Sequence, residues 1–219
     1  MSRTFSFAPD EFYHLYNRGT DKRIIFQEKA DYERFLALLY IANQDKPTIL
    51  KLQGSTLEEI FGTDRETPLV AIGSYCLMPN HFHLLVRELK EGGISKFMQK
   101  IMTGYTMYFN TRNERTGALF QGKFKATHAD TDRYLSYLIS YIHLNPVKLF
   151  ESTWKESGIK DRRGAAQYLE QYPYSSYLDY AKGNRPHERI ISRDSFPEYF
   201  SSNADFDSHV TEWLTYKPT

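Results

Sequence analysis

Cysteine, net charge and long apolar runs are all scarce in this sequence, and each scarcity excludes something. Cys76 is the single cysteine, so an intrachain disulfide and a cysteine-rich zinc module are both ruled out. It reads as a small buried hydrophobe in a strand. No apolar stretch approaches the roughly 18 residues of a membrane span, and the opening MSRTFSFAPDEF carries acids where a signal peptide needs an apolar core. The expectation is a soluble, cytoplasmic chain. Internal repeats and low-complexity tracts are lacking too, and 219 residues suit one domain with an elaborated edge. The formal net charge is only +1, which by itself speaks against a polyanionic partner. Its distribution says otherwise: from Lys90 to Lys148 there are nine Lys and Arg against four Asp and Glu, a local +5 that leaves −4 elsewhere. Lysines at helical spacing are by default a solvated face, so the bias matters only where other chemistry shares the region.

What is present is patterned. Phe12 to Asn17 alternates and is rich in aromatics, and Asn17-Arg18-Gly19 closes it, which predicts a first strand. Tyr32, Phe35, Leu36, Leu39 and Tyr40 recur at helical period, which predicts a helix with Asp31 as its N-cap. The period is lost over 44–68, an expected insertion with a short helical piece at 56–61. Leu69 to Leu77 and His81 to Glu88 read as two strands joined through Met78-Pro79-Asn80. Ile94, Phe97, Met98, Ile101, Tyr105 and Tyr108 predict a second long helix, ending near Asn113. Leu119 to Thr127 predicts another strand, and a third helix follows from Asp130 or Asp132 to Asn145, where Pro146 stops it. The order β-α-β-β-α-β-α defines an α+β, ferredoxin-like (RRM-like) sandwich: an antiparallel sheet with helices on one face, plus a C-terminal helix that bears tyrosines. Residues 1–150 would form this domain and 151–219 an extension packed on it, with a short helix near Val210 to Leu214.

Two sets of residues carry chemistry. His81 and His83 project from one face of their strand, close enough for one cation to touch both. An isolated His-x-His is more often a polar outer face. Here the strand is otherwise apolar at Phe82, Leu84, Leu85 and Val86, and two histidines on a central strand need partners or a ligand. In the third helix Leu135, Leu138, Ile139 and Ile142 form the core stripe, with Tyr134, Tyr137, Tyr141 and Asn145 along one flank. Most of the 17 tyrosines must be packing residues. Tyr141 stands out through Asn145, one turn further on the same face. An amide oxygen that joined the histidines on a metal would hold that metal beside the phenol.

With Met78-Pro79-Asn80-His81-Phe82-His83-Leu84-Leu85 and Tyr141-Ile142-His143-Leu144-Asn145-Pro146-Val147-Lys148 in view, the chain resembles the single-tyrosine HUH transposases, in particular the branch associated with repetitive extragenic palindromes (REP). Asn17-Arg18-Gly19 and the segment from Arg115 to Lys125 are similar to that branch as well, so the resemblance spans residues 10 to 150. It implies a divalent cation on His81 and His83, with Asn145 as third ligand and Tyr141 as nucleophile. It also implies cleavage and rejoining of hairpin-bearing single-stranded DNA through a 5′-phosphotyrosine, and a protein that joins the nucleoid when bound. Two imidazoles favour Mn or a later metal, whereas the resemblance admits Mg. Lys96, Lys100, Arg112, Arg115, Lys123 and Lys125 are candidates for backbone contacts, with Phe120 for stacking on bases. A homodimer enters because Tyr141 could serve its own histidines or those of a second copy. Two rival readings stay open: a non-catalytic module that binds single-stranded nucleic acid, and a metal-dependent nuclease in which water attacks.

Overall fold

The structure, a computed structural model, describes residues 6–47 and 56–212. Part of the expected insertion at 44–68 and the last residues of the expected terminal helix lie outside these. Four strands form one antiparallel sheet: β1 (Phe12–Arg18), β2 (Val70–Met78), β3 (His81–Glu88) and β4 (Lys125–His128), in the order β2-β3-β1-β4. The alternation of β1 and β3 decides what each face buries. Tyr13, Leu15, Phe82, Leu84 and Val86 turn to one face. There they pack under α1 (Lys29–Ile41) and α3 (Gly93–Arg112), with α2 (Leu57–Gly62) against α1. The other face is covered by α4 (Asp132–Leu144) and by the chain that follows it: α5 (Val147–Phe150), α6 (Trp154–Ser157), α7 (Arg162–Gln171), α8 (Tyr177–Ala181) and α9 (Asn203–Glu212). The fold is therefore the ferredoxin-like α+β sandwich with the tyrosine helix on the second face.

Several local expectations shift by a residue or a role. The N-cap of α1 is Glu28, and Asp31 sits at the third helical position, where its carboxylate accepts from the backbone N–H of Gln27 (2.7 Å) and Glu28. Fully buried, Asp31 also accepts from Tyr108 (3.0 Å) and pairs with Arg112 (2.7 Å), so α1 and α3 are locked at that end. The cap of α4 is Thr131, whose hydroxyl accepts from the N–H of Tyr134. The expected strand over 119–127 shrinks to β4 and a single bridge between Gly19 and Phe120. Gly122 takes a left-handed φ of 68° and its N–H turns back to the Phe120 carbonyl, which breaks the extended run. Pro146 does not stop the helical path. Asn145 stays helical at φ −54°, ψ −38°, its N–H bonds the Ile142 carbonyl, and the chain passes through Pro146 into α5. Proline tolerates the first turn of a helix because its missing N–H has no partner there.

The C-terminal extension also closes the outer edge of β2. The N–H of Leu77 donates to the Tyr174 carbonyl (2.9 Å), the N–H of Ser176 donates to the Tyr75 carbonyl (3.0 Å), and the N–H of Tyr75 donates to Ser176 Oγ (2.9 Å). Tyr172 and Tyr180 donate their hydroxyls to the carbonyls of Leu77 and Gly73, and the N–H of Ser192 to that of Ile72. Behind this edge lies a buried polar cluster. Asp179, with no exposed surface, accepts from Tyr75 (3.2 Å) and from the Arg185 guanidinium (2.7 Å), which also donates to the carbonyls of Pro173 and Ser175.

His143 ties α4 to the same edge, its Nε2 lying 2.7 Å from Ser176 Oγ. Complete burial drives its pKa down to about 3, and burial takes His187 down to about 4. Both are neutral when folded, whereas the unfolded chain binds their protons below about pH 6.5. Acid therefore favours unfolding, and stability falls as pH drops from about 6.5 toward these values, by about 2 kcal/mol from His143 alone at pH 5. Urea unfolding at pH 7 and pH 5 should show that loss, and His143→Gln should flatten the pH slope. An unchanged slope would remove His143 as its source.

Candidate active site

The register of the sheet assembles the site in two cross-strand rows. His83 stands opposite Tyr16 on β1 and Cys76 on β2, and Tyr16 stands opposite Lys125 on β4. One step along, His81 stands opposite Arg18 and Met78. Above these rows runs α4, whose buried Leu135, Leu138, Ile139 and Ile142 seat it on the sheet and contribute about 1.5–3 kcal/mol each. That seating lays the Tyr141 ring edge-on to His83, with centroids 5.7 Å apart, and edge-on to His14 at 5.8 Å. Tyr141, Asn145, His81 and His83 line one cavity of about 750 Å³. The Tyr141 ring thus packs on His83 of the same chain.

The ring nitrogens of the two strand histidines are oriented by neighbours. Asn80 donates its Nδ2 to the Lys22 carbonyl (3.2 Å), which turns Oδ1 toward His81 Nδ1 at 2.6 Å. An amide oxygen only accepts, so His81 Nδ1 is the donor in this hydrogen bond. His83 Nδ1 lies 2.8 Å from Nε2 of His14, a buried residue of β1. Asn145 Nδ2 donates to the Tyr141 carbonyl at 2.8 Å, which leaves Oδ1 as the amide's acceptor. Ligation of a cation would fall to Nε2 of each strand histidine and Oδ1 of Asn145. Two imidazoles and an amide oxygen suit a borderline divalent ion held with water or substrate oxygens. Among the described residues no three His, Cys, Asp or Glu side chains are grouped for a metal. Burial, with the nearby Tyr137, Tyr16 and Tyr134 adding to it, raises the Tyr141 pKa above its ordinary 10, so the phenol is protonated at neutral pH.

Of the expected backbone contacts, only Lys125 reaches the cavity. Lys96 is paired with Asp45 (2.6 Å), and Lys100 donates to the carbonyls of Gln44 and Lys46, which fasten α3 to the end of α1. Arg112 serves Glu28 and Asp31, and Arg115 holds the 110–118 turn through Asn110 and the Ala118 carbonyl. Phe120 cannot stack on a base: it is buried in the main core against Phe82 and Tyr105. Lys123 is exposed, outside the cavity lining. The sequence reading missed His14, and it missed Arg18, Lys22 and Lys148, which join Lys125 around the cavity. Arg18 had a signal in its turn motif; for His14 the only signal was its place on the same strand face as Tyr16.

Fold and site together define a ferredoxin-like protein with a histidine pair facing a tyrosine helix. Residues 13–145 match the family model of IS200-like transposases, and the chain belongs to that family. Its structure is similar to that of a REP-associated tyrosine transposase bound to a REP hairpin, with a TM-score of 0.52 at 14% identity over 92% of this chain and 95% of the other. No curated protein matches it. No helix among the described residues is long and apolar enough to cross a membrane.

Proposed function

We propose that this transposase cleaves and rejoins a single DNA strand through Tyr141, with a divalent cation at His81, His83 and Asn145. The observation that carries the reading is the placement of the Tyr141 ring against His83, in a cavity that Asn145 and His81 also line. Tyr141 Oη attacks the phosphorus of a phosphodiester; the P–O3′ bond breaks, the 3′-oxygen leaves with a proton as a hydroxyl, and a 5′-phosphotyrosine remains. One ester bond has replaced another, so an incoming 3′-hydroxyl reverses the step with no external energy source. When bound, the cation would neutralise charge on the non-bridging oxygens and favour the phenolate over the raised phenol. The chain's own part is orientation: Asn80 and His14 fix the imidazoles, and α4 carries the nucleophile and the amide on one face.

The likeness to the hairpin-bound structure makes a hairpin-bearing strand the substrate to try. Incubated with end-labelled DNA of that kind and Mn²⁺ or Mg²⁺, the protein should form an SDS-resistant, protease-sensitive adduct. His81→Ala should weaken adduct formation strongly. Cleavage without any adduct would favour attack by water, and binding without cleavage under either ion would favour a non-catalytic module.

A further inference from the structure

In a chain with 28 Lys and Arg and 27 Asp and Glu, the lining of the active-site cavity contains four cations and no carboxylate. Arg18 comes from the end of β1, Lys22 from the turn after it, Lys125 from β4 and Lys148 from α5. All four are exposed. Among the described residues none forms an ion pair, in contrast to Lys90, Lys96, Arg112 and Arg185, which do. Among the described residues the Arg18 guanidinium donates only to the neutral Gln121 side chain. Lys22 is held by a left-handed backbone with φ of 58°, unusual for a residue with a side chain, and its carbonyl is tied to Asn80 beside His81. An array of unpaired cations converging from four places in the sequence suits a ligand with several negative charges.

The rim carries a second, different signal. Of the four large hydrophobic side chains most exposed among the described residues, Ile24 (54%) and Leu149 (43%) both line this cavity. A duplex turns sugars and phosphates outward and keeps its bases stacked inside, so apolar side chains gain little from it. An unpaired strand offers phosphates and base faces together. We propose that Arg18, Lys22, Lys125 and Lys148 carry the phosphates of an unpaired DNA strand on either side of the scissile bond, while Ile24 and Leu149 pack on its bases. This rests on the reading that the cavity acts on single-stranded DNA, and it adds the path the strand takes.

The test is binding, measured by fluorescence anisotropy with an unstructured labelled oligonucleotide, in the Tyr141→Phe background so that no cleavage intervenes. Each lysine that meets a phosphate on a single strand contributes about 0.7 to the slope of log K against log salt. Lys22→Ala with Lys148→Ala should therefore flatten the slope by about 1.4, while Lys96→Ala with Lys100→Ala should leave it unchanged. Ile24→Ser with Leu149→Ser should cost on the order of tenfold in affinity for the single strand and nothing for a duplex of the same sequence. An unaltered slope in the Lys22 and Lys148 pair, or equal losses on single strand and duplex in the Ile24 and Leu149 pair, overturns the proposal. Absence of a covalent adduct in the wild-type protein would instead count against the catalytic reading alone.

Discussion

Replacing Tyr141 by phenylalanine should abolish adduct formation and strand cleavage, by at least about 10⁴-fold, while DNA binding and the thermal midpoint stay close to wild type. The substitution removes one oxygen and keeps the ring that packs on His14, His83 and Tyr137. Loss of a nucleophile leaves no bonded intermediate for any other group to support, so the effect is close to complete rather than graded. Tyr137→Phe is the matched control. It lies one turn away on the same helix, its ring 5.8 Å from that of Tyr141, and it does not line the cavity that His81, His83 and Asn145 share. Its rate should change by only a few fold. If Tyr141→Phe still cuts DNA, the phenol is not the nucleophile and water is.

The largest stability effect is expected far from the chemistry, at Arg185. Its guanidinium pairs with Asp179, whose side chain has no exposed surface, and burial raises the Asp179 pKa in spite of that partner. Arg185→Leu would leave the carboxylate buried with only Tyr75 for company, at a cost of about 3–5 kcal/mol. For a chain of this size that lowers the thermal midpoint by roughly 10 °C or more. The double change Arg185→Leu with Asp179→Leu removes both charges and should recover most of the loss, because a buried pair as a unit contributes little net stability. If the single variant unfolds at the wild-type urea midpoint, or the double is no better than the single, the pair is not what holds α8 against β2. Since α8 packs on α9, and α9 on α4, the single variant should also lower activity well below its unfolding midpoint.

How much of this was legible follows from how local each signal is. The pair His81 and His83 sits two residues apart on one strand, and Tyr141 and Asn145 sit one turn apart on one helix, so periodicity places each pair on one face while the family resemblance supplies their roles. Their convergence needs α4 on the sheet face that bears the histidines, which the apolar stripe from Leu135 to Ile142 allows but does not dictate. His14 touches His83 only through the pairing of β1 with β3, 69 residues apart, and no window along the sequence contains both. The cations around the cavity are hard to read along the chain for a related reason. Counting charge over Lys90 to Lys148 pointed to the lysines of α3, which the fold uses to bind Asp45 and nearby carbonyls, whereas Arg18, Lys22 and Lys148 meet only after folding. Phe120 was a stacking candidate only as an aromatic ring within the basic third of the chain; in the fold it is buried against Phe82 and Tyr105.

The sealed outer edge of β2 bears on assembly. A four-stranded sheet has two flanks onto which a further strand could dock, and exposed flanks of that kind are where sheets join across copies or aggregate. On the β2 side the backbone groups of Ile72, Gly73, Tyr75 and Leu77 are already satisfied from within the chain. The other flank of the sheet is β4, four residues long, whose Lys125 lines the cavity. Under the strand path proposed above, any pairing built there would compete with nucleic acid for the same ground.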